Sequence, residues 1–478
     1  MPDATSHTSP RSRHDNPSAT GQRASRQADA RPTKAQVRST FANSRRAASP
    51  NENRLYEYPS LIAQPVLDRR PSQGSSLRDR QTSSTRQVGL IVMLTSSLAL
   101  TVLGVIMVFS ATSASSISAV TNSGGQATLL SFSVALRHFA WVIISAVVGF
   151  VIALIPARWL EMMCYWIFGL CIGLQGATAL FGVEVSGNRN WLNLGFAQIQ
   201  PSELLKLGMI VCLAHVLARL HHKDFASWRA LALPMCVFLA AVLAVAAGGD
   251  MGTALIFVLI GGGMFWVSGL DRKIIAIVFL LGALFAGILV AIRPSRLRRV
   301  IDYIDNFFAV PDVVDPTQSE FAQFAFGSGG WLGVGLGAGK EKWRDLAEAQ
   351  TDYIYAVVGE ELGLLGAVVV LVLFLALGWA FITISLSMRN RYAQLAVVGA
   401  ALWICGQGLA NMSVVTGLLP VFGVPLPFLS QGGSSMLGVY SMLGIVVGLV
   451  RSADDHQGAD RRNARLIRRS TAVFKART

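Results

Sequence analysis

The chain has 478 residues, 52% hydrophobic and 14% charged, with a mean hydropathy of +0.49 and a formal net charge of +14. That composition excludes an ordinary soluble globular domain and places most of the chain in lipid. The charge does not mark a nucleic-acid surface, because Lys and Arg sit in tails and short loops rather than among aromatics on one amphipathic face.

Residues 1–87 are rich in Ser, Arg, Asn, Gln and Pro, lack a sustained apolar period, and are expected to form a disordered basic tail. The tail is too long for the charged region of a signal peptide and the first apolar run has no small-residue cleavage site, so that run reads as an uncleaved first helix. A bilayer core of roughly 30 Å takes about 20 apolar residues per helix. Such runs predict an all-α polytopic membrane protein with about ten transmembrane helices, near 88–110, 136–155, 160–182, 203–219, 230–248, 252–269, 274–292, 353–386, 394–416 and 435–450. Arg158, then Arg219, Lys223 and Arg229, then Arg272 and Lys273, then Arg389 and Arg391 fall in alternate loops. These loops share a side with both basic tails, which predicts cytoplasmic termini for the membrane domain 88–451. The five cysteines (Cys164, Cys171, Cys212, Cys236 and Cys405) lie inside apolar runs without a CxxC pair or metal-ligand spacing, and read as small hydrophobes.

Between helices three and four, on the outer side, lies a stretch from Gly187 to Lys206. Pro201 suits the first turn of a helix, and Glu203 can meet free N–H groups there and pair with Lys206. Arg189 and Trp191 beside that pair at the membrane surface leave a functional role open. Asp250, in Gly248-Gly-Asp-Met-Gly-Thr-Ala254, reads as the cap of helix six.

The segment 293–352, on the outer side between helices seven and eight, is long for a loop in a compact protein, and such loops are usually functional. It holds Asp312, Asp315, Pro316, Gln318, a glycine-rich run from Gly327 to Lys340, and Gln350-Thr-Asp352. The Gly-Lys ending is not a phosphate-binding P-loop, since Val334 takes the first-glycine position and Glu341 follows the lysine. Glu360 and Glu361 are expected about two turns into helix eight, where a carboxylate pair needs partners or a wet cavity; a structural salt bridge to another helix is an equal alternative. Gln407 and Asn411 in helix nine precede Gly417 to Ser435, which contains Ser430, Ser434 and three prolines. That segment reads as broken and re-entrant, tolerable at membrane depth only when buried in protein or lining a cavity.

Taken in order, these segments resemble the SEDS family (shape, elongation, division and sporulation; FtsW, RodA and SpoVE) over about Val88 to Arg451. The resemblance is carried by Met107-Val-Phe-Ser-Ala111, the Arg-x-Trp and Gln-Pro-Ser-Glu-x-x-Lys stretch, Asp250-Met-Gly-Thr253, the glycine-rich loop, Thr351-Asp-Tyr-Ile-Tyr355 with Gly-Glu-Glu-Leu-Gly363, and Leu419-Pro to Ser435. The Met-Val-Phe-Ser run, the Lys342-Trp343 pair and the long basic tail are more similar to the division branch than to the elongation branch.

The resemblance implies a peptidoglycan glycosyltransferase that polymerises lipid II in septal wall synthesis: the 4-hydroxyl of one disaccharide attacks the anomeric carbon of another chain's MurNAc and expels undecaprenyl pyrophosphate. It implies a carboxylate base, for which Asp315 is the best match with Gln318 in the glutamine position. Thr317 stands in place of the usual Tyr, and Asp312 is the alternative. Arg189, Lys206, Arg299 and Lys342 are the implied pyrophosphate ligands. Trp191, Glu203, Asp250, Asp352, Glu360, Glu361, Gln407, Asn411, Ser430 and Ser434 are expected to be structural or to line the cavity. A class B penicillin-binding protein transpeptidase and other division proteins are the implied partners, at the inner membrane of the division septum. The basic tails are expected against anionic lipid or cytoplasmic division proteins. No metal site or cofactor is read, although a divalent cation (Mg or Mn) bridging the pyrophosphate is compatible with the chemistry. A lipid II flippase and a non-catalytic division scaffold are the competing readings; the broken segment and the Glu pair favour the flippase, the lack of an inverted repeat does not.

Overall fold

The computed structural model describes residues 73–113, 133–185, 188–193, 195, 198–220, 227–292, 297–298, 300–301, 303–304, 317–341 and 349–475, all within the compact unit Pro71–Thr478. Its helices are α1 (Gln73–Ala111), α2 (Ser133–Leu154), α3 (Ala157–Met162), α4 (Cys164–Phe181), α5 (Pro201–Ala218), α6 (Trp228–Ala247), α7 (Met251–Ser268) and α8 (Arg272–Ile292). They continue as α9 (Gln318–Gly329), α10 (Ile354–Glu361), α11 (Gly363–Ser387), α12 (Arg391–Val415) and α13 (Gly433–Lys475). Three short strands, β1 (Val183–Val185), β2 (Asn188–Asn193) and β3 (Gln198–Ile199), form an antiparallel sheet in that order.

Among the described residues, eight helices are long and apolar enough to cross a membrane: α1 from Ser83, α2, α5, α6, α7, α11, α12, and α13 as far as Asp455. The shorter apolar helix Cys164–Thr178 and the helix α8 stand where two further spans are expected. The protein is therefore a multi-pass, all-α membrane protein. Helices that face lipid show it in their exposed residues, such as Leu98, Val102 and Ile106 on α1 and Val368, Val369 and Val372 on α11. Helix α5 is different, because 89% of its span is buried. A helix surrounded on all sides is the bundle's centre, and its polar residues must find partners inside the protein.

Four elements differ from the sequence reading. Helix α1 begins at Gln73, inside the segment expected to be disordered, and Arg86 is buried where it pairs with Asp454 of α13. Helix α13 runs past the expected end near 450 to Lys475. The long loop contains the 12-residue helix α9, started by a capping box in which Thr317 and Glu320 satisfy each other's backbone N–H groups. Finally, the expected helix 353–386 is two helices, α10 and α11, divided after Leu362.

One end of the bundle, where α5, α7, α10 and α13 begin, gathers most of the motif residues. The irregular chain between α12 and α13 lies there, pressed against helix backbones at glycines. A methyl group on Gly252 of α7 would lie 1.9 Å from the Phe422 carbonyl oxygen, and one on Gly104 of α1 would lie 2.4 Å from that of Phe428. Neither backbone can yield without moving a whole element. Gly252→Ala and Gly104→Ala are expected to lower stability by about 1–3 kcal/mol through overpacking. Gly173→Ala on α4, with nothing within 4 Å of the added carbon, is expected to be neutral or stabilising through helix propensity. Thermal unfolding of the three variants in one detergent checks the order.

Candidate functional site

Helix α5 starts with Pro201, whose missing N–H costs nothing at the first helical position. The residue before it, Gln200, ties the helix start to its neighbours: its backbone N–H donates to Ser434 Oγ at 3.2 Å, and its side-chain amide donates to Asp250 Oδ2 at 3.1 Å. Asp250 caps α7 as expected, accepting from the Thr253 N–H at 2.9 Å. Burial pushes the Asp250 carboxyl above the usual range, against the pull of its Thr253 hydrogen bonds and the Lys206 charge.

One turn further along α5, Lys206 donates to Glu203 Oε1 at 2.7 Å and to Gln407 Oε1 at 2.7 Å, and its ammonium lies 5.2 Å from the centre of the Trp403 ring. Trp403 donates its indole N–H to the same Gln407 oxygen at 3.1 Å, while the Gln407 amide nitrogen reaches the Pro425 carbonyl at 2.8 Å. Both charged residues are fully buried. Lys206 was expected as a pyrophosphate ligand; in the structure its charge is spent on Glu203 and Gln407 in the core, so it holds the bundle together instead.

The strands present the residues before α5. Side chains alternate along β2, so Arg189 is exposed, Asn190 is buried and Trp191 is half-buried. The Arg189 N–H donates to the Gly248 carbonyl at 3.1 Å, which fastens β2 to the end of α6.

The glutamate pair is not within a continuous helix. Gly363 has φ +69°, a left-handed conformation that ends α10, and a methyl group there would lie 2.3 Å from the Gly333 nitrogen. The glycine-rich loop thus packs directly on the break. The loop N–H groups supply the partners that the buried carboxylates need: Lys340 N–H donates to Glu360 Oε1 at 2.6 Å, and Gly337 N–H donates to Glu361 Oε2 at 3.1 Å. Ser110 of α1 donates to Glu361 at 2.7 Å. Backbone N–H groups of Val334 and Gly335 bond to the carbonyls of Glu360 and Glu361. Burial raises the Glu360 carboxyl above its ordinary range despite these donors. Backbone donors from the loop and the Ser110 hydroxyl thus meet both carboxylates.

The chain between α12 and α13 meets the end of the long loop. Asn411 donates to the carbonyls of Asp352 (2.7 Å) and Val424 (2.8 Å). Ser430 accepts from the Leu426 N–H at 2.7 Å and donates to the Thr351 carbonyl, and the Gln431 N–H reaches the Gln350 carbonyl at 2.9 Å. Asp352, half-buried, sets its Oδ2 beside Gly423. Of the other expected residues, Gln318 is the exposed first residue of α9. Asp312, Asp315, Arg299 and Lys342 lie outside the described residues. Among the described residues, no three His, Cys, Asp or Glu side chains converge into a metal-ligand set.

Residues 90–455 match the sequence model of the family described as cell cycle protein, FtsW/RodA/SpoVE. The chain is 34% identical over 354 residues to the probable peptidoglycan glycosyltransferase FtsW of Hahella chejuensis, covering 72% of this chain and 86% of that one. It is 33% identical over 301 residues to stage V sporulation protein E of Bacillus subtilis, covering 62% and 79%. Among solved structures, its fold is similar to a chain from a peptidoglycan synthase complex that coordinates polymerization and crosslinking (TM-score 0.61, 23% identity, 76% of this chain and 97% of that one). It is also similar to the rod shape determining protein RodA of Thermus thermophilus (TM-score 0.56, 24% identity, 76% and 96%). The match spans the whole membrane domain and its ordered motifs, and the chain is a member of the FtsW/RodA/SpoVE family of cell cycle proteins.

Proposed function

We propose that the protein is a peptidoglycan glycosyltransferase that polymerises lipid II into glycan strands during septal wall synthesis, from a bacterial cytoplasmic membrane that it crosses about ten times with both termini inside. The names of its relatives support the reaction class. The alternation of basic loops supports the orientation, which puts the motif-rich end outside. A class B penicillin-binding protein and division proteins reached through the tails complete the reading; a peptidoglycan synthase complex among the similar folds is in keeping with such a partner.

The observation that carries the reading is the gathering of the family's motifs at one end of the bundle, where the end of the long loop at Asp352 meets the irregular segment at Val424 and Ser430. Glu203 is tied to Lys206, Asp250 to the cap of α7, and Glu360 and Glu361 to the glycine-rich loop. The resemblance gives the base to Asp315 of the long loop, with Asp312 as its alternative; a carboxylate there takes the proton of the attacking 4-hydroxyl as the new glycosidic bond forms and undecaprenyl pyrophosphate leaves. Arg189, exposed on β2, and with it Arg299 and Lys342, are the proposed cations for the leaving pyrophosphate.

Polymerisation of purified lipid II in detergent, with no second compartment, is expected to give glycan strands; a flippase yields none. Asp315→Ala is expected to abolish the product while the protein still folds. Full activity in that variant beside a dead Asp312→Ala would move the base to Asp312, and loss in neither would end the general-base role. For the cations, Arg189→Ala is expected to raise KM for lipid II with the melting temperature unchanged. Lys206→Met leaves Glu203 buried without its counter-charge, and is expected to cost about 3–5 kcal/mol of stability; thermal unfolding separates the two effects.

A further inference from the structure

The glycine-rich run from Gly327 to Gly339 carries no charge, and Ser328 is its only hydroxyl. Loops that face water are built from polar residues, whereas this one sets Trp331, Leu332, Val334 and Leu336 among glycines. All four are exposed, Trp331 at 73%, Leu332 at 78% and Leu336 at 60%. Gly335 and Gly337 hold φ +103° and +81°, left-handed conformations that glycine adopts without strain. They turn the chain so that its N–H groups meet the glutamates of α10 while the side chains of Val334 and Leu336 face outward.

The backbone of the run is closed on itself and on α10. Gly333 donates to the Gly329 carbonyl at 2.8 Å and Ala338 to that of Gly335 at 3.1 Å, while Val334 and Gly335 donate to the carbonyls of Glu360 and Glu361 at 3.0 and 3.1 Å. The Gly337 and Lys340 N–H groups go to the glutamate side chains. A loop in water has no need of such partners, because water meets its donors. Irregular backbone at a lipid boundary does need them.

The position of the run decides what its side chains meet. The N–H groups of Leu364 and Leu365, in the first turn of α11, donate to the carbonyls of Gly330 and Trp331 at 2.9 and 3.2 Å. Trp331 and Leu332 thus stand at the end of α11 from which its exposed row of Leu365, Val368 and Val369 runs into lipid. On the other side, Glu361 accepts from both the Gly337 N–H and the Ser110 hydroxyl, which brings the chain at Leu336 to the end of α1, where Ile106 and Phe109 are exposed. The run therefore continues the apolar faces that two membrane helices already give to lipid. Exposed Lys340 ends it, as basic residues do where a segment leaves the hydrocarbon. We infer that the glycine-rich run is an interfacial membrane anchor: Trp331, Leu332 and Leu336 insert among the acyl chains of the leaflet at the outer ends of α1 and α11, and hold the long loop at the membrane surface. The anchor follows from the spans of α1 and α11 and is independent of the reaction proposed above.

The test uses the full chain in vesicles of phosphatidylethanolamine and phosphatidylglycerol, at a protein-to-lipid ratio low enough to separate copies. Leu332→Cys and Leu336→Cys, each combined with Cys236→Ala to remove the exposed native thiol, carry a nitroxide whose collisions with oxygen and with a water-soluble nickel chelate give its depth. Both labels are expected to collide more with oxygen than with nickel, at a depth of about 5–10 Å into the boundary of headgroups and acyl chains. In the unmodified chain, Trp331 is expected to escape oxidation by hydroxyl radicals generated in the water, a loss of modification read by peptide mass spectrometry against the unfolded chain. Labels that collide mainly with nickel, or an oxidised Trp331, overturn the anchor and leave the surface to water or to a protein partner. Dipolar broadening between labels gives the surface to a second copy and overturns the anchor equally. The footprint of the unmodified chain decides the matter if neither variant folds.

Discussion

Irregular backbone at membrane depth has no water to turn to, so each of its polar groups must be met by the protein itself. The segment between α12 and α13 meets that demand with few groups. Pro420, Pro425 and Pro427 have no N–H to satisfy. The carbonyls of Val424 and Pro425 take their hydrogen bonds from Asn411 and Gln407, one helical turn apart on α12, and the Leu426 N–H is taken by Ser430. Phe428 holds φ +69°, a conformation that bulky residues rarely adopt, and it persists because the flanking Leu426 and Ser430 bonds and the packing of its ring on Tyr440 at 6.1 Å fix it from both sides.

The same side chains couple this segment to the buried charges. Gln407 spends its amide nitrogen on Pro425 and its oxygen on Lys206, so the segment and the Glu203–Lys206 pair are held by one residue. Asn411 likewise spans two elements, the segment and the end of the long loop at Asp352. Removing Asn411 would strand two carbonyls, and removing Gln407 a carbonyl and one partner of the Lys206 charge, which is why such polar networks are worth more intact than their bonds suggest singly. The glutamates at the end of α10 do the corresponding work for the glycine-rich loop, accepting N–H groups that would otherwise be stranded.

Much of this was legible in the sequence, and where it was not the reason is local. Apolar runs locate the spans because lipid imposes one length and one polarity on them. The cap at Asp250 and the helix start at Pro201 follow from residue type alone. The capping box Thr317-Gln-Ser-Glu320 was equally readable and marks the start of α9, but a long polar loop drew attention to its acids instead. The break at Gly363 was hidden because a glycine within an apolar run is compatible with a continuous helix; only the approach of Gly333 makes it a turn. Lys206 was misread because its sequence position, near a loop, carries no information about Gln407, 201 residues away. Nothing in the neighbours of Asp352 foretells the contact with Asn411, which depends on the end of the long loop meeting α12.

A transporter and a polymerase place opposite demands on the segment between α12 and α13. Alternating access requires discontinuous helices to rock or unlatch about the substrate site. Here the segment lies against backbone at Gly104 and Gly252, and its polar groups are committed to α12 and to the long loop. Moving it would break several buried hydrogen bonds at once, each costing about 1–3 kcal/mol when a partner is left unsatisfied. A glycosyl transfer needs the reverse, a base held still while two sugar chains are brought to it. A rigid floor that holds the carbonyls of Gln350, Thr351 and Asp352 at the end of the long loop suits the second demand far better than the first.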